Sequence, residues 1–88
     1  MPPPYEILYH PDIYKKDLPK ISQDSKDKIK RAIETKLVHA PVELGEPLRR
    51  TLKGYWKLRV GDYRVIYKIA AETVTIFRIG HRREIYER

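Results

Sequence analysis

An 88-residue chain has room for one domain, expected to span 1–88, and the absence of cysteine excludes disulfide-stapled secreted scaffolds, thiolate zinc sites and thiol nucleophiles. Met1-Pro2-Pro3-Pro4 lacks the basic start and apolar run of a secretion signal, and no apolar stretch nears the roughly 20 residues of a membrane span, so a cytoplasmic location without a membrane partner is expected. The formal charge is +7, and because residues 1–48 balance eight Lys/Arg against eight Asp/Glu, the whole excess falls in residues 49–88. A basic half beside a neutral one suits a polyanion-binding surface, with nucleic acid the first candidate.

In chain order, Tyr5-Glu6-Ile7-Leu8-Tyr9, closed by His10-Pro11, suits a short strand. From Asp12 to Leu18, Tyr14, Leu18 and then Ile21 can share one side of a short helix that Pro19 breaks. Ser22 is a good N-cap with Asp24 in the first turn. Ile29, Ala32, Ile33 and Leu37 follow at helical spacing, while Lys26, Lys28, Lys30 and Lys36 can face solvent. The spacing predicts a helical hairpin over roughly 11–18 and 22–38.

Pro41, Gly45, Pro47 and Gly54 punctuate a connector over 39–54, in which Leu44, Leu48 and Leu52 are expected to anchor to the core. Beyond Gly54 the pattern changes to period two: Trp56, Leu58 and Val60 alternate with Tyr55, Lys57 and Arg59. Gly61-Asp62 predicts a tight turn, Tyr63 to Ile69 a returning strand, Ala70-Ala71-Glu72 a second turn and Thr73 to Ile79 a last strand. The expected fold is α+β: the N-terminal helical hairpin packs on a small antiparallel sheet, made of the three-stranded C-terminal meander with the N-terminal strand at one side.

This register gathers the basic residues. With Trp56, Leu58 and Val60 turned to the core, Lys57 and Arg59 face the other way. Arg64 and Lys68 share a face of the second strand, and Arg78 and Arg82 share a parity on the third strand and its extension. One wet face is ordinary in an antiparallel sheet, but these cations with hardly a carboxylate among them suggest a phosphate cradle. His81 suits acid–base work near neutral pH, yet its parity points away from Arg82 and favours a structural role. His10 and His39 lie beside prolines in expected turns. Trp56 and Phe77 are expected in the core, and Glu84 and Glu87 are potential ion-pair partners of the arginines. No Asp/Glu/His cluster has ligand spacing, so neither a metal nor a cofactor is expected.

Leu52-Lys53-Gly54, the run Arg59-Val60-Gly61-Asp62-Tyr63-Arg64-Val65-Ile66-Tyr67, and Ile79-Gly80-His81-Arg82-Arg83-Glu84-Ile85-Tyr86 together closely resemble the RelE branch of the RelE/ParE toxin superfamily. The helical hairpin ahead of them fits that family's order of elements. The resemblance implies the toxin of a type II toxin–antitoxin system, a ribosome-dependent mRNA endoribonuclease that needs no metal. Such toxins cut the message in the ribosomal A site by attack of a 2′-hydroxyl on the adjacent phosphate, and a cognate acidic RelB-like antitoxin holds them inactive. It also implies roles: Arg64 contacts the scissile phosphate, Arg82 serves as leaving-group acid or charge stabiliser, Tyr86 stacks on a substrate base, and Lys57 is the candidate base. Lys53, Arg59, Lys68, Arg78 and Arg83 are the expected RNA-binding residues. Two departures stand out. Tyr55 occupies the position where a relative carries the first of two alternating lysines, and the segment between Arg82 and Tyr86 is shorter. The competing reading is a non-catalytic binder, either a ParE-like inhibitor of DNA gyrase or an antitoxin-binding module, for which the set Lys57, Arg64, Arg82 and Tyr86 is not required.

Overall fold

The computed structural model describes residues 4–85. Strand β1 (Glu6–Tyr9) leads into a wide helical turn over Ile13–Asp17 and a tight one over Leu18–Lys20, where Pro19 ends the segment. Ser22 caps α1 (Gln23–Ala32): its Oγ accepts from Ser25 N at 3.3 Å, and Asp24 adds a carboxylate to the first turn. The helix runs on through a second wide turn over Ile33–Leu37. Both wide turns close by a long backbone reach, Leu18 N to Ile13 O and Val38 N to Ile33 O. The expected helical hairpin is therefore present.

A single turn, α2 (Pro41–Leu44), precedes β2 (Glu46–Pro47), and a tight turn over Arg50–Leu52 leads to β3 (Trp56–Val60), β4 (Tyr63–Ala70) and β5 (Thr73–His81). The sheet order is β1-β5-β4-β3-β2. β3, β4 and β5 form the antiparallel meander, while β1 joins β5 in parallel, from Glu6 beside Thr73 to Tyr9 beside Ile76. Strand β2 was not legible in the sequence. It pairs Glu46 with Lys57 and Pro47 with Trp56 along the sheet edge, where a proline is tolerated. Gly61 makes the β3–β4 turn at φ 57°, and Ala71 makes the next at φ 52°.

The helices cover one face of the sheet. Ile13, Ile29, Ile33 and Leu37 meet Leu58, Val65, Tyr67, Val74 and Ile76 in the main core, with Trp56 packed against it. Tyr67 is fully buried and donates its hydroxyl to Pro41 O at 2.6 Å. Gly45 permits this contact, because a Cβ there would overlap Tyr67 Oη. Burial also pushes the Tyr67 phenol above its ordinary pKa.

The other face is only partly open. Leu48, Ile66 and Ile85 form a second, small cluster there, joined by Leu52 and Tyr55. Two of the three expected connector anchors thus serve this cluster rather than the main core. The third, Leu44, is 51% exposed, because α2 is one turn at the sheet edge with no layer outside it.

Strand β5 carries one residue too many against β4. Ile66 pairs with Arg78 and Tyr67 with Ile76, leaving Phe77 between them. Ile76 and Ile79 both enter the main core, so Phe77 is turned out of it, which corrects its expected place in the core. Asp17 Oδ2 accepts from Ile79 N at 2.9 Å, fastening the strand just past the bulge. Among the described residues no helix is long and apolar enough to cross a membrane.

Candidate nucleic-acid interface

Strands β3 and β4 set their cations on the face that the helices leave uncovered. Arg59 lies directly across from Arg64, Lys57 across from Ile66, and Arg64 across from Gly80 on its other side. Like charges opposite one another on a sheet destabilise it, so the Arg59–Arg64 pair favours an anion above it. Lys57 and Arg64 are also each only 8% exposed, and a buried cation needs compensating partners.

Arg64 finds them in the backbone: its Nη1 donates to Gly61 O at 3.0 Å and to Tyr63 O at 2.9 Å, which folds the guanidinium over the β3–β4 turn. Arg82 reaches the same turn from β5. Its backbone N donates to Asp62 O at 2.8 Å, and its Nε lies 3.8 Å from Asp62 Oδ1. Glu46 on β2 serves two cations, with Oε2 at 3.9 Å from Lys57 Nζ and Oε1 at 3.4 Å from Arg59 Nε. Glu46 and Asp62 correct the expectation of a face with hardly a carboxylate. Glu46 arrives through the strand that the sequence concealed. Both carboxylates are more than half exposed, so these are weak, exchangeable ion pairs that a phosphate can replace.

The remaining basic residues spread outward. Lys68 lies at the far end of β4 with Nζ 4.7 Å above the Tyr55 ring, and Lys53 is exposed in the turn before Gly54. Arg78 stands apart, beside a small hollow at the open end of β5 with Asp17, Lys20, His81 and Glu84. Arg83 is exposed past β5, its backbone N donating to His81 Nδ1 at 3.2 Å. His81 sets its ring edge-on to Tyr63 at 5.6 Å, on the core side, as its parity suggests. Tyr86 and Glu87 lie outside the described residues. Ile85, just before Tyr86, is buried on the basic face, where a Cβ at Gly80 would come within 3.2 Å of its side chain. Among the described residues no group of three or more His, Asp or Glu side chains could hold a metal ion.

Sequence reasoning missed Glu46, Ile85 and the turned-out Phe77. The first two depend on pairing and packing that no local pattern announces, and the third depends on which parity of β5, that of Val74 and Ile76, meets the core.

The chain matches the family model described as the ParE toxin of the type II toxin–antitoxin system, parDE, over residues 4–86. It is 46% identical over 54 residues to Toxin RelG of Mycobacterium tuberculosis, a match that takes in 59% of this chain and 62% of that protein. Its fold is similar to the toxin–antitoxin complex RelBE2 from Mycobacterium tuberculosis, with TM-score 0.85 and 32% identity over 93% of this chain and 95% of the other. It is also similar to the RelB–RelE antitoxin–toxin complex from Methanococcus jannaschii, with TM-score 0.69 and 25% identity over 90% and 94% of the two chains.

Proposed function

Since the chain belongs to the ParE toxin family of type II toxin–antitoxin systems, we propose that it is a ribosome-dependent endoribonuclease of the RelE kind, cutting A-site mRNA without a metal. The observation that carries this reading is the convergence of Arg64 and Arg82 on the Gly61-Asp62 turn, beside Lys57 and Arg59.

The reaction joins the 2′-oxygen to the adjacent phosphorus and breaks the bond to the 5′-oxygen, leaving a 2′,3′-cyclic phosphate and a 5′-hydroxyl. Lys57 takes the 2′-hydroxyl proton. Arg64 and Arg82 meet the charge that grows on the phosphoryl oxygens, and the leaving 5′-oxygen, beside Arg82, takes up a proton from Arg82 acting as acid or, where Arg82 only stabilises charge, from water. Tyr86 stacks on a base of the substrate and orients it. Arg64, tied to two carbonyls, is preorganised for this work and needs no rearrangement when charge develops. Arg59, Lys53, Lys68, Arg78 and Arg83 supply the longer-range attraction to message and ribosomal RNA. The ribosome holds the message in line for attack, which explains why free RNA is a poor substrate in this scheme. The partner that restrains the toxin is an acidic, RelB-like antitoxin whose carboxylates cover the arginine face, and the compartment is the cytoplasm, where translating ribosomes are. One domain carries all of this.

Primer extension on translating ribosomes with the antitoxin-free protein tests the proposal. Cuts at A-site codons, far faster than cuts in naked message, are expected; equal rates on both substrates sink ribosome dependence. The ParE description of the family model keeps gyrase inhibition as the second reading, and a supercoiling assay with purified gyrase distinguishes it.

A further inference from the structure

Next to the arginine cluster, the same sheet face carries three aromatic rings in line. Tyr55 precedes β3, Phe77 sits at the bulge of β5, and His10 follows β1. The Tyr55 and Phe77 ring centroids are 5.5 Å apart at 80°, and those of Phe77 and His10 are 5.6 Å apart at 36°. All three side chains are only half-buried, and Lys68 Nζ stands 4.7 Å over the Tyr55 ring.

We propose that Tyr55, Phe77 and His10 form a stacking platform for unpaired bases of single-stranded RNA flanking the cleavage position. The proposal rests on the ribonuclease reading and adds a binding subsite to it. Two features favour bases as the occupant. The rings offer π faces beside cations, the combination by which proteins hold single strands without reading sequence. Tyr55 also lies two residues before Lys57, about 7 Å along the strand, a span that an extended strand covers in one nucleotide. A phosphate at Lys57 and Arg64 thus leaves the neighbouring base over the rings, with the next phosphate near Lys68.

Phe77 faces away from the core in alternation with Val74 and Ile76, which sets its ring between Tyr55 and His10, and the extra residue in β5 returns Ile79 to the core side beyond it. Asp17 holds Ile79 N just past the bulge.

The test uses a short 2′-O-methyl RNA, which cannot be cleaved, carrying 2-aminopurine at one position, and the same strand with abasic sites. The wild-type protein is expected to quench the fluorophore and to bind the intact strand more tightly than the abasic one. Phe77→Leu and Tyr55→Leu should each weaken the intact strand by about 5- to 100-fold while leaving the abasic strand unchanged. Phe77→Tyr, which keeps the ring, should bind like wild type, separating stacking from loss of fold. If the leucine variants bind both strands as wild type does, or weaken both equally, the platform is wrong and the rings serve packing or a protein partner. The ribosome assay remains an independent reading. A protein that cuts no message yet prefers the intact strand keeps the platform and loses the nuclease; one that cuts while ignoring the bases does the reverse.

Discussion

Arg64 and Arg82 are held on adjacent carbonyls of one turn, Arg64 through Nη1 to Gly61 O at 3.0 Å and Arg82 through its backbone N to Asp62 O at 2.8 Å. A two-residue turn therefore brings the two residues together, although Arg64 lies on β4 and Arg82 follows β5. In the proposed reaction the charge they meet is largest in the transition state, so their loss should appear in rate more than in binding.

Arg64→Ala and Arg82→Ala are each expected to slow single-turnover cleavage on saturating ribosomes by about 10²–10³, with ribosome binding retained. Arg64→Lys should fall between, since it keeps the charge but not the planar guanidinium whose Nη1 donates to two carbonyls. Wild-type cleavage by both alanine variants ends this mechanism.

Glu46 pairs with Lys57 and Arg59, so under the proposed function it competes with phosphate for them. Glu46→Gln should tighten binding to a non-cleavable RNA and steepen its salt dependence. Arg59→Ala should do the opposite, lowering the slope of log K against log salt by about one. A salt series on the three proteins measures this, and unchanged slopes refute the competition.

Gly45 and Tyr67 are coupled by contact. Gly45→Ala forces a methyl group into Tyr67 Oη and should cost about 3 kcal/mol. Tyr67→Phe leaves the buried Pro41 carbonyl without its donor, for about 1–3 kcal/mol. Removing the hydroxyl takes away the worst overlap but leaves those with Tyr67 Cζ and Pro41 O, so the double variant should lose less than the sum. Denaturant unfolding of the four proteins gives the coupling, and strict additivity would falsify it.

The buried Tyr67 phenol makes the fold sensitive to alkali. Its folded pKa lies above the unfolded value near 10, so its contribution is complete below about pH 10 and drains away as pH rises further. Tyr9, half-buried and raised mainly by burial, acts in the same direction. Tyr67→Phe should flatten part of the stability loss above pH 10 in denaturant titrations. An unaltered alkaline limb counts against this cause.

The sequence shows its elements where local chemistry decides them. Ser22 and Pro19 frame the start of α1, Gly61-Asp62 turns β3 into β4, and the alternation around Lys57 marks the outer face. It conceals what depends on partners distant in sequence. Glu46-Pro47 has no strand pattern and becomes one only by pairing with Trp56 and Lys57. Phe77 lies opposite Val74 and Ile76 by alternation, and Ile79 rejoins them in the core only because β5 has a surplus residue relative to β4, a mismatch visible only between two strands. Leu48 has the composition of a core anchor but settles on the second cluster, since residue type specifies burial and not which side of the sheet supplies it. The basic stripe was legible because charge accumulates in one half of the chain; its carboxylate counterweight was not.

The parallel pairing of β1 with β5 ties the order of synthesis to the order of assembly. Strand β1 must wait for β5, and Gly80 must be made before it can stand beside Arg64. Under the proposed function, the cation cluster is thus incomplete while most of the chain is being made. During that interval the exposed Leu8 and the unpaired edge of β1 are the surfaces most in need of a chaperone or a waiting antitoxin.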